Sequence, residues 1–396
     1  MSRIRRVLRL LILAALALAA LAAVFVAATA ATTPGRRALA GAEERASAWR
    51  QQPALRELAD RLGVRFGSAV MASDLGDDPQ YGPVLGREFN SLTPFVEMKW
   101  GTIHPEPDRY DFTQADQLVA FAAAHRMRVR GHALVYGQAA DPPNPDYLLK
   151  VTDPAALRAM MAAHIRTMMA RYRGRVDAWD VVNEPLPTFG DPARSKDGLA
   201  QHVFSELLGA GYVAEALRLA READPGAQLF VNEQGILEPG PRQDAYFRLV
   251  QELRASGAPL DAVGFQGHVV PLTGNPGPTS AQVEATLRRF AALGVAVEIT
   301  ELNVFTRTPR HLLTLGLTYD EGAELRRQAE VYAATARGCL AVPACQGITV
   351  WTFTDKYLTT IERFTHVRDM PLIFDRDYRP KPAAVGLRDV LANAVR

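Results

Sequence analysis

WDVVNEPL, residues 179–186, is built around the β-branched pair Val181 and Val182 and then turns polar at Asn183 and Glu184 before Pro185. β-Branched residues favour a strand, and proline cannot donate to a ladder, so a strand ends here with an amide and a carboxylate at its C-terminal tip. Such a tip is either a wet strand end or part of a site. Whether similar segments recur in register with helices decides between folds.

They recur along the whole chain. Eight strand segments are expected: VRFGSAV (64–70), FNSLTPF (89–95), RVRGHALVY (128–136), AWDVVNE (178–184), QLFVNEQ (228–234), AVGFQGH (262–268), VAVEITEL (295–302) and GITVWTF (347–353). Between them lie amphipathic helical segments, among them TQADQLVAFAAAHR (113–126), PAALRAMMAAHIRTMMARYR (154–173), SAQVEATLRRFAALG (280–294) and EGAELRRQAEVYAATARG (321–338). Strand-helix alternation of this kind predicts an α/β protein, and eight repeats predict a (β/α)8 TIM barrel, whose usual size is roughly 250 residues plus loop insertions. A doubly wound sheet would also alternate, but no glycine-rich fingerprint follows the first strand.

Composition is that of a globular protein, with 396 residues, 48% hydrophobic, 22% charged and a net charge of +2. The charges are interspersed without a basic stripe, so nucleic acid is not an expected partner. The N-terminus differs, because Arg3, Arg5, Arg6 and Arg9 precede an apolar run from Leu10 to Ala28. Residues 1–31 therefore read as a signal peptide or an N-terminal membrane anchor; the small residues Ala28, Thr29 and Ala30 suit cleavage, while the length of 10–28 approaches the roughly 20 residues that span a bilayer. Either fate places the rest of the chain outside the cytoplasm. Residues 32–45 are expected to be a tether and residues 46–396 the catalytic domain, as a monomer. Two cysteines in an exported chain, Cys339 and Cys345, suggest a small-loop disulfide, with two buried thiols as the alternative. No metal-ligand spacing and no cofactor motif is present, so none is expected.

In a parallel barrel the site lies at the C-terminal ends of the strands. Polar residues collected there are Lys99, His132, Asn183, Glu184, Asn232, Glu233, Gln266, His268, Glu301, Asn303 and Asp355, together with tryptophans. Planar hydrogen-bonding groups and aromatic platforms, without a serine or cysteine nucleophile motif or a phosphate loop, suit a sugar site. Hydrolysis of a glycosidic bond then needs two carboxyl groups, and periodicity does not choose between Glu184, Glu233, Glu301 and Asp355.

The ordered motifs FNSLTPFVEMKW, VRGHALVY, WDVVNEP, GFQGH, ITELN, TVWTFTDKY and the closing PLIFDRDYRPKPA resemble glycoside hydrolase family 10, the endo-β-1,4-xylanase family, from about residue 50 to the end. The resemblance implies a retaining β-glycosidase acting on a polysaccharide or oligosaccharide, with Glu184 as acid/base and Glu301 as nucleophile. It also implies that Asn183 binds the hydroxyl beside the anomeric carbon and that Gln266, His268 and Asn303 orient Glu301. Lys99 and His132 would hold sugar hydroxyls, Tyr136 would line the substrate cleft, Trp351 would form an apolar wall, and CLAVPACQGITVW matches the family's disulfide loop.

The chain departs from the family around the sugar. Phe95-Val96 stand where the family usually has Glu-Asn, Tyr136-Gly137 where it has Trp-His, Leu358-Thr359-Thr360 where it has Ser-Trp-Arg, and Asn303 where it has Asp. Loss of polar partners weakens discrimination for hydroxyls, so poor activity on linear xylan and room for a less polar β-glycoside are expected. The competing readings are a cell-surface carbohydrate-binding protein on the same barrel, or a glycosidase with another substrate.

Overall fold

In the computed structural model the described residues are 43–44, 46–137, 144–187, 192, 198–270, 276–307, 319–357 and 369–395. The expected leader, nearly all of the expected tether and Leu358-Thr359-Thr360 lie outside them. Glu43 and Glu44, near the end of the expected tether, are helical. Among the described residues no helix is long and apolar enough to cross a membrane. The chain divides into Met1–Gln52 and a compact unit, Pro53–Arg396, which holds the barrel.

The strands are β1 (Arg65–Val70), β2 (Ser91–Pro94), β3 (Arg128–Tyr136), β4 (Ala178–Asn183), β5 (Gln228–Glu233), β6 (Ala262–Phe265), β7 (His268–Val269), β8 (Ala296–Val304) and β9 (Cys345–Val350). All pair in parallel in the order β6-β5-β4-β3-β2-β1-β9-β8, and β6 pairs with β8 to close the ring. Eight strands thus form the (β/α)8 barrel, and closure leaves no exposed sheet edge. Strands covered by helices outside and by one another inside are buried on both faces.

AVGFQGH does not form one strand. It breaks at Gly267, whose φ of +80° takes the chain through the left-handed region, and β7 resumes two residues of pairing beyond it, His268 opposite Asn303 and Val269 opposite Val304. β9 stops at Val350, so Trp351 follows the strand instead of ending it. Cys339 and Cys345 form the disulfide, which ties the end of the helix Glu321–Leu340 to the start of β9.

Helix starts follow their sequence signals. Asp153 caps the helix Pro154–Tyr172 by accepting from the Ala155 and Ala156 amides, and Thr279 with Gln282 makes a capping box at Ser280–Ala291. The barrel interior holds an ion ladder: Arg65 bonds Glu298 at 2.6 Å, Arg130 lies 3.5 Å from Glu298, and Arg130 also grips Asp180. The guanidinium of Arg130 sits 4.0 Å from the centre of the Phe230 ring. These charges are buried together, so each has its partner and removing one would strand the others. The ladder ends at His132, whose Nδ1 is 2.9 Å from Asp180.

Outside the barrel, His164 is fully buried on Pro154–Tyr172 and stacked 3.8 Å from Trp100, and neither of its ring nitrogens has a hydrogen-bond partner among the described residues. Burial holds its pKa well below the ordinary 6.5, and burial likewise lowers His202 to about 4. The folded pKa lies below the unfolded one, so nothing is lost above pH 6.5, whereas below it the unfolded chain takes up protons that the native state refuses. Each such histidine then removes about 1.4 kcal/mol per pH unit. Between pH 6.5 and 4.5, His164→Leu is expected to lose less stability than the wild type, measured by denaturant unfolding at both pH values. Taking the difference between the two proteins cancels the carboxylates, some of which titrate with the opposite sign. Equal losses in both would refute a neutral buried His164.

Candidate active site

β4 ends at Asn183 because Glu184 has φ +53°, a left-handed conformation that costs a non-glycine residue about 1–3 kcal/mol. Neighbouring strands hold it there. The Glu184 N–H donates to Asn232 O at 2.8 Å, the Gly137 N–H donates to Asn183 O at 2.7 Å, and the Leu186 N–H donates to Glu233 Oε2 at 2.9 Å. Gly137 lies so close that a Cβ there would stand 2.3 Å from the Glu184 carbonyl oxygen and 2.8 Å from Pro185 Cα. The strand tip that opened the sequence is therefore turned inward and clamped.

A chain of amides joins its carboxylate to that of Glu301. Gln266 Nε2 donates to Glu184 Oε1 at 3.0 Å and lies 3.4 Å from Asn183 Oδ1. Asn232 Nδ2 donates to Asn183 Oδ1 at 2.8 Å and to Glu301 Oε1 at 2.7 Å, while its own Oδ1 accepts from the Thr300 hydroxyl at 2.6 Å. Both bonds to Asn183 end on its oxygen, so the amide NH2 is the group it has left for a ligand. His268 Nε2 lies 3.2 Å from Glu301 Oε2, and His268 Nδ1 is 3.0 Å from Asn303 Oδ1.

The electrostatics separate these groups. Burial raises the Glu301 carboxyl, but the His268 hydrogen bond and the charges of His132, His268 and Lys99 outweigh it, and its pKa falls below the ordinary 4.5. His268 moves the other way: burial lowers it, and its bond to Glu301 together with that carboxylate's charge carries it above 6.5. Lys99 is lowered by burial, with Glu301 and Glu184 pulling it back up. Burial pushes Glu233 up to about 7 against the opposing charge of Arg242. Asp355 is raised to about 6, also by burial, against Lys381 at 2.7 Å.

Aromatic groups wall the same space. Trp351 packs on Phe95 with ring centres 4.9 Å apart, on His132 at 5.3 Å and on His268 at 6.2 Å. Lys99 Nζ lies 5.7 Å from the Phe95 ring centre and 5.8 Å from that of Tyr136, and burial with the nearby Glu184 carboxylate pushes the Tyr136 hydroxyl well above its ordinary pKa.

Lys99, His132, Tyr136, Asn183, Glu184, Gln266, His268, Glu301, Asn303 and Trp351 thus fall in one connected set of contacts, whereas Asp355 is bonded to Leu372 and Lys381 instead, and Gln266 differs from expectation. The Gln266 side chain bonds Glu184 and Asn183, and only its backbone carbonyl touches Glu301, by accepting the Glu301 N–H at 2.8 Å. Glu301 Oε1 accepts from Asn232 instead. Asn232, Gln234 and Asp180 were not selected for contacts of this kind. Asn232 sits in the same Asn-Glu pattern as Asn183 and was findable by that parallel; nothing in the sequence marks Gln234. Glu233 and Asp355 act as braces: Glu233 receives Leu186 and Gln234 amides, and Asp355 receives the Leu372 amide at 2.9 Å. Among the described residues no cluster suited to a metal ion occurs.

A family model for glycosyl hydrolase family 10 matches residues 54–390. The chain is 34% identical over 349 residues to endo-1,4-beta-xylanase B of Thermotoga neapolitana, covering 87% of this chain and 94% of that protein. It is also 34% identical to endo-1,4-beta-xylanase 1 of Humicola insolens, over 85% of this chain and 74% of that one. Among solved structures, native xylanase 10B from Thermotoga maritima superposes with a TM-score of 0.76 at 35% identity, covering 86% of this chain and 99% of that chain. Xylanase 10B from Thermotoga petrophila RKU-1 in complex with xylobiose gives 0.77 at 34% identity, with 87% and 99% covered. With the barrel, the strand-end carboxylates and these relatives in agreement, the chain belongs to glycosyl hydrolase family 10.

Proposed function

We propose that this retaining, endo-xylanase-type glycosidase cleaves a β-1,4-linked xylan or a related polysaccharide by double displacement, with Glu301 as nucleophile and Glu184 as acid/base. The observation that supports the assignment is the amide chain Gln266–Asn183–Asn232, which joins the two carboxylates in one hydrogen-bonded run. Glu301, kept ionised by the positive groups around it, attacks the anomeric carbon as the bond to the leaving oxygen breaks, and Glu184 gives that oxygen its proton. Glu184 then takes a proton from water, the water oxygen replaces Glu301 at the anomeric carbon, and the sugar leaves with its configuration retained. Asn183 would bind the neighbouring hydroxyl through its free NH2, His268 with Asn303 would orient Glu301, and His132 would present Nε2 to the sugar, its Nδ1 being held by Asp180.

The wall built by Phe95, Trp351 and Tyr136 around Lys99 supports a preference for a less polar unit beside the cleaved sugar than a bare xylose. A ring face packs on aromatic carbon, whereas xylose hydroxyls find no polar partner at Phe95 and Val96. The test is hydrolysis of a panel of polysaccharides and aryl β-glycosides, xylan included, by the chain lacking residues 1–31. The wild type is expected to turn over linear xylan poorly, and the double variant Phe95→Glu, Val96→Asn to raise kcat/KM on it by roughly three- to tenfold, the worth of about one restored hydrogen bond. Vigorous turnover of linear xylan by the wild type would refute the preference and leave the glycosidase assignment standing. The arginine-rich, apolar N-terminus supports an exported enzyme, either released or held by residues 10–28.

A further inference from the structure

A carboxylic acid that must deliver a proton to one oxygen has to be held in one plane, and the last torsion of a glutamate is soft and nearly two-fold. Gln266 anchors only one Glu184 oxygen, Oε1. The other, Oε2, accepts from Gln234 Nε2 at 2.9 Å. Gln234 lies just beyond β5 and is half-buried, so its side chain reaches Glu184 from the loop and not from within the barrel.

Gln234 is itself held. Arg242, the second residue of the helix Pro241–Ala255, donates Nε to Gln234 O at 2.7 Å, NH2 to Glu233 Oε1 at 2.7 Å and NH1 to Pro187 O. Glu233 Oε1 also receives the Gln234 N–H at 2.8 Å, and its Oε2 receives the Leu186 N–H at 2.9 Å. One guanidinium therefore spans the loop carrying Glu184 and the loop carrying Gln234, and its rigid fork permits no independent movement of the two. Gly235, at φ +64°, makes room for it: a Cβ there would stand 3.1 Å from Arg242 Cδ.

We propose that Gln234, clamped by Arg242 and Glu233, is a positioning residue that sets the carboxyl plane of Glu184 for proton delivery. The proposal rests on Glu184 being the acid/base. Its effect falls on one half of the chemistry: breaking the bond to a basic leaving oxygen needs the proton, whereas an acidic phenol departs without it. Because kcat/KM reports the step up to that bond cleavage, the leaving group separates positioning of the acid from general damage to the fold.

The experiment compares kcat/KM for two aryl β-glycosides of the same sugar, chosen from those the wild type hydrolyses, one with a phenyl and one with a 2,4-dinitrophenyl leaving group. For Gln234→Leu, of similar size and lacking the donor, a loss of about 10²-fold is expected on the phenyl glycoside and less than about threefold on the dinitrophenyl one. Arg242→Met, which releases both loops, is expected to give the same dependence on leaving group. Equal losses on both substrates, or none, in an active protein would overturn the proposal alone. A wild type inactive on every glycoside would overturn the glycosidase reading and this proposal with it.

Discussion

Glu301→Gln is expected to reduce glycoside hydrolysis to background while leaving the fold unchanged. The amide is nearly the size of the carboxylate and can still meet Asn232 and His268, but it is not a nucleophile toward an anomeric carbon. Glu184→Gln is expected to lose about 10²–10⁴-fold on poor leaving groups, the usual contribution of a general acid. The proposed nucleophile has a direct signature as well. A 2-deoxy-2-fluoro glycoside with an activated leaving group should form a stable ester, and peptide mapping of the wild type should find it on Glu301. An adduct on Glu184 or Glu233 would reverse the assignment, and full activity in Glu301→Gln would end it.

The second large effect comes from a residue with no side chain. Gly137→Ala is expected to lower kcat/KM by about 10²-fold, because its Cβ would fall 2.3 Å from the Glu184 carbonyl oxygen and 2.8 Å from the carbonyl carbon. Backbone cannot yield as a flexible side chain does. Relief requires Glu184, the proposed acid/base, to move from the left-handed conformation in which Gln234 and Gln266 hold its carboxylate. Some stability should go too, about 1–3 kcal/mol for overpacking. Gly211→Ala is the control, since a Cβ there meets nothing within 4 Å. Kinetics within twofold of wild type in Gly137→Ala would show that the loop adjusts without disturbing Glu184.

Much of the fold was legible from local pattern. RVRGHALVY spans the same residues as β3, Arg128–Tyr136, because its β-branched and apolar residues run up to a glycine, Gly137. Helix starts at Asp153, Thr279 and Asp320 follow from short polar side chains that can accept from the first free amides. The break at Gly267 was less visible: a glycine within a strand-like run signals a bulge or close approach, and the positive φ it takes, with Ile299 and Leu302 close to where a Cβ would stand, is seen only in the folded barrel. The end of β4 was off by one residue for a similar reason, since glutamate gives no local hint of a positive φ.

The candidate site divides along the same line. That polar residues gather at strand ends follows from alternation and from the polarity of parallel strands, so Asn183, Glu184, Gln266, His268, Glu301 and Asn303 are legible in the sequence. Which donor meets which acceptor was not. Asn232 and Glu301 are 69 residues apart in the chain, Gln266 and Glu184 are 82 apart, and Gln234 and Glu184 are 50 apart. Propensity and periodicity act over a turn of helix or a few strand residues, so they specify elements and the faces those elements present. A hydrogen bond is decided within a few tenths of an ångström, and that distance exists only after barrel closure has set strand register, packed Gly137 on Glu184 and passed Arg242 between two loops.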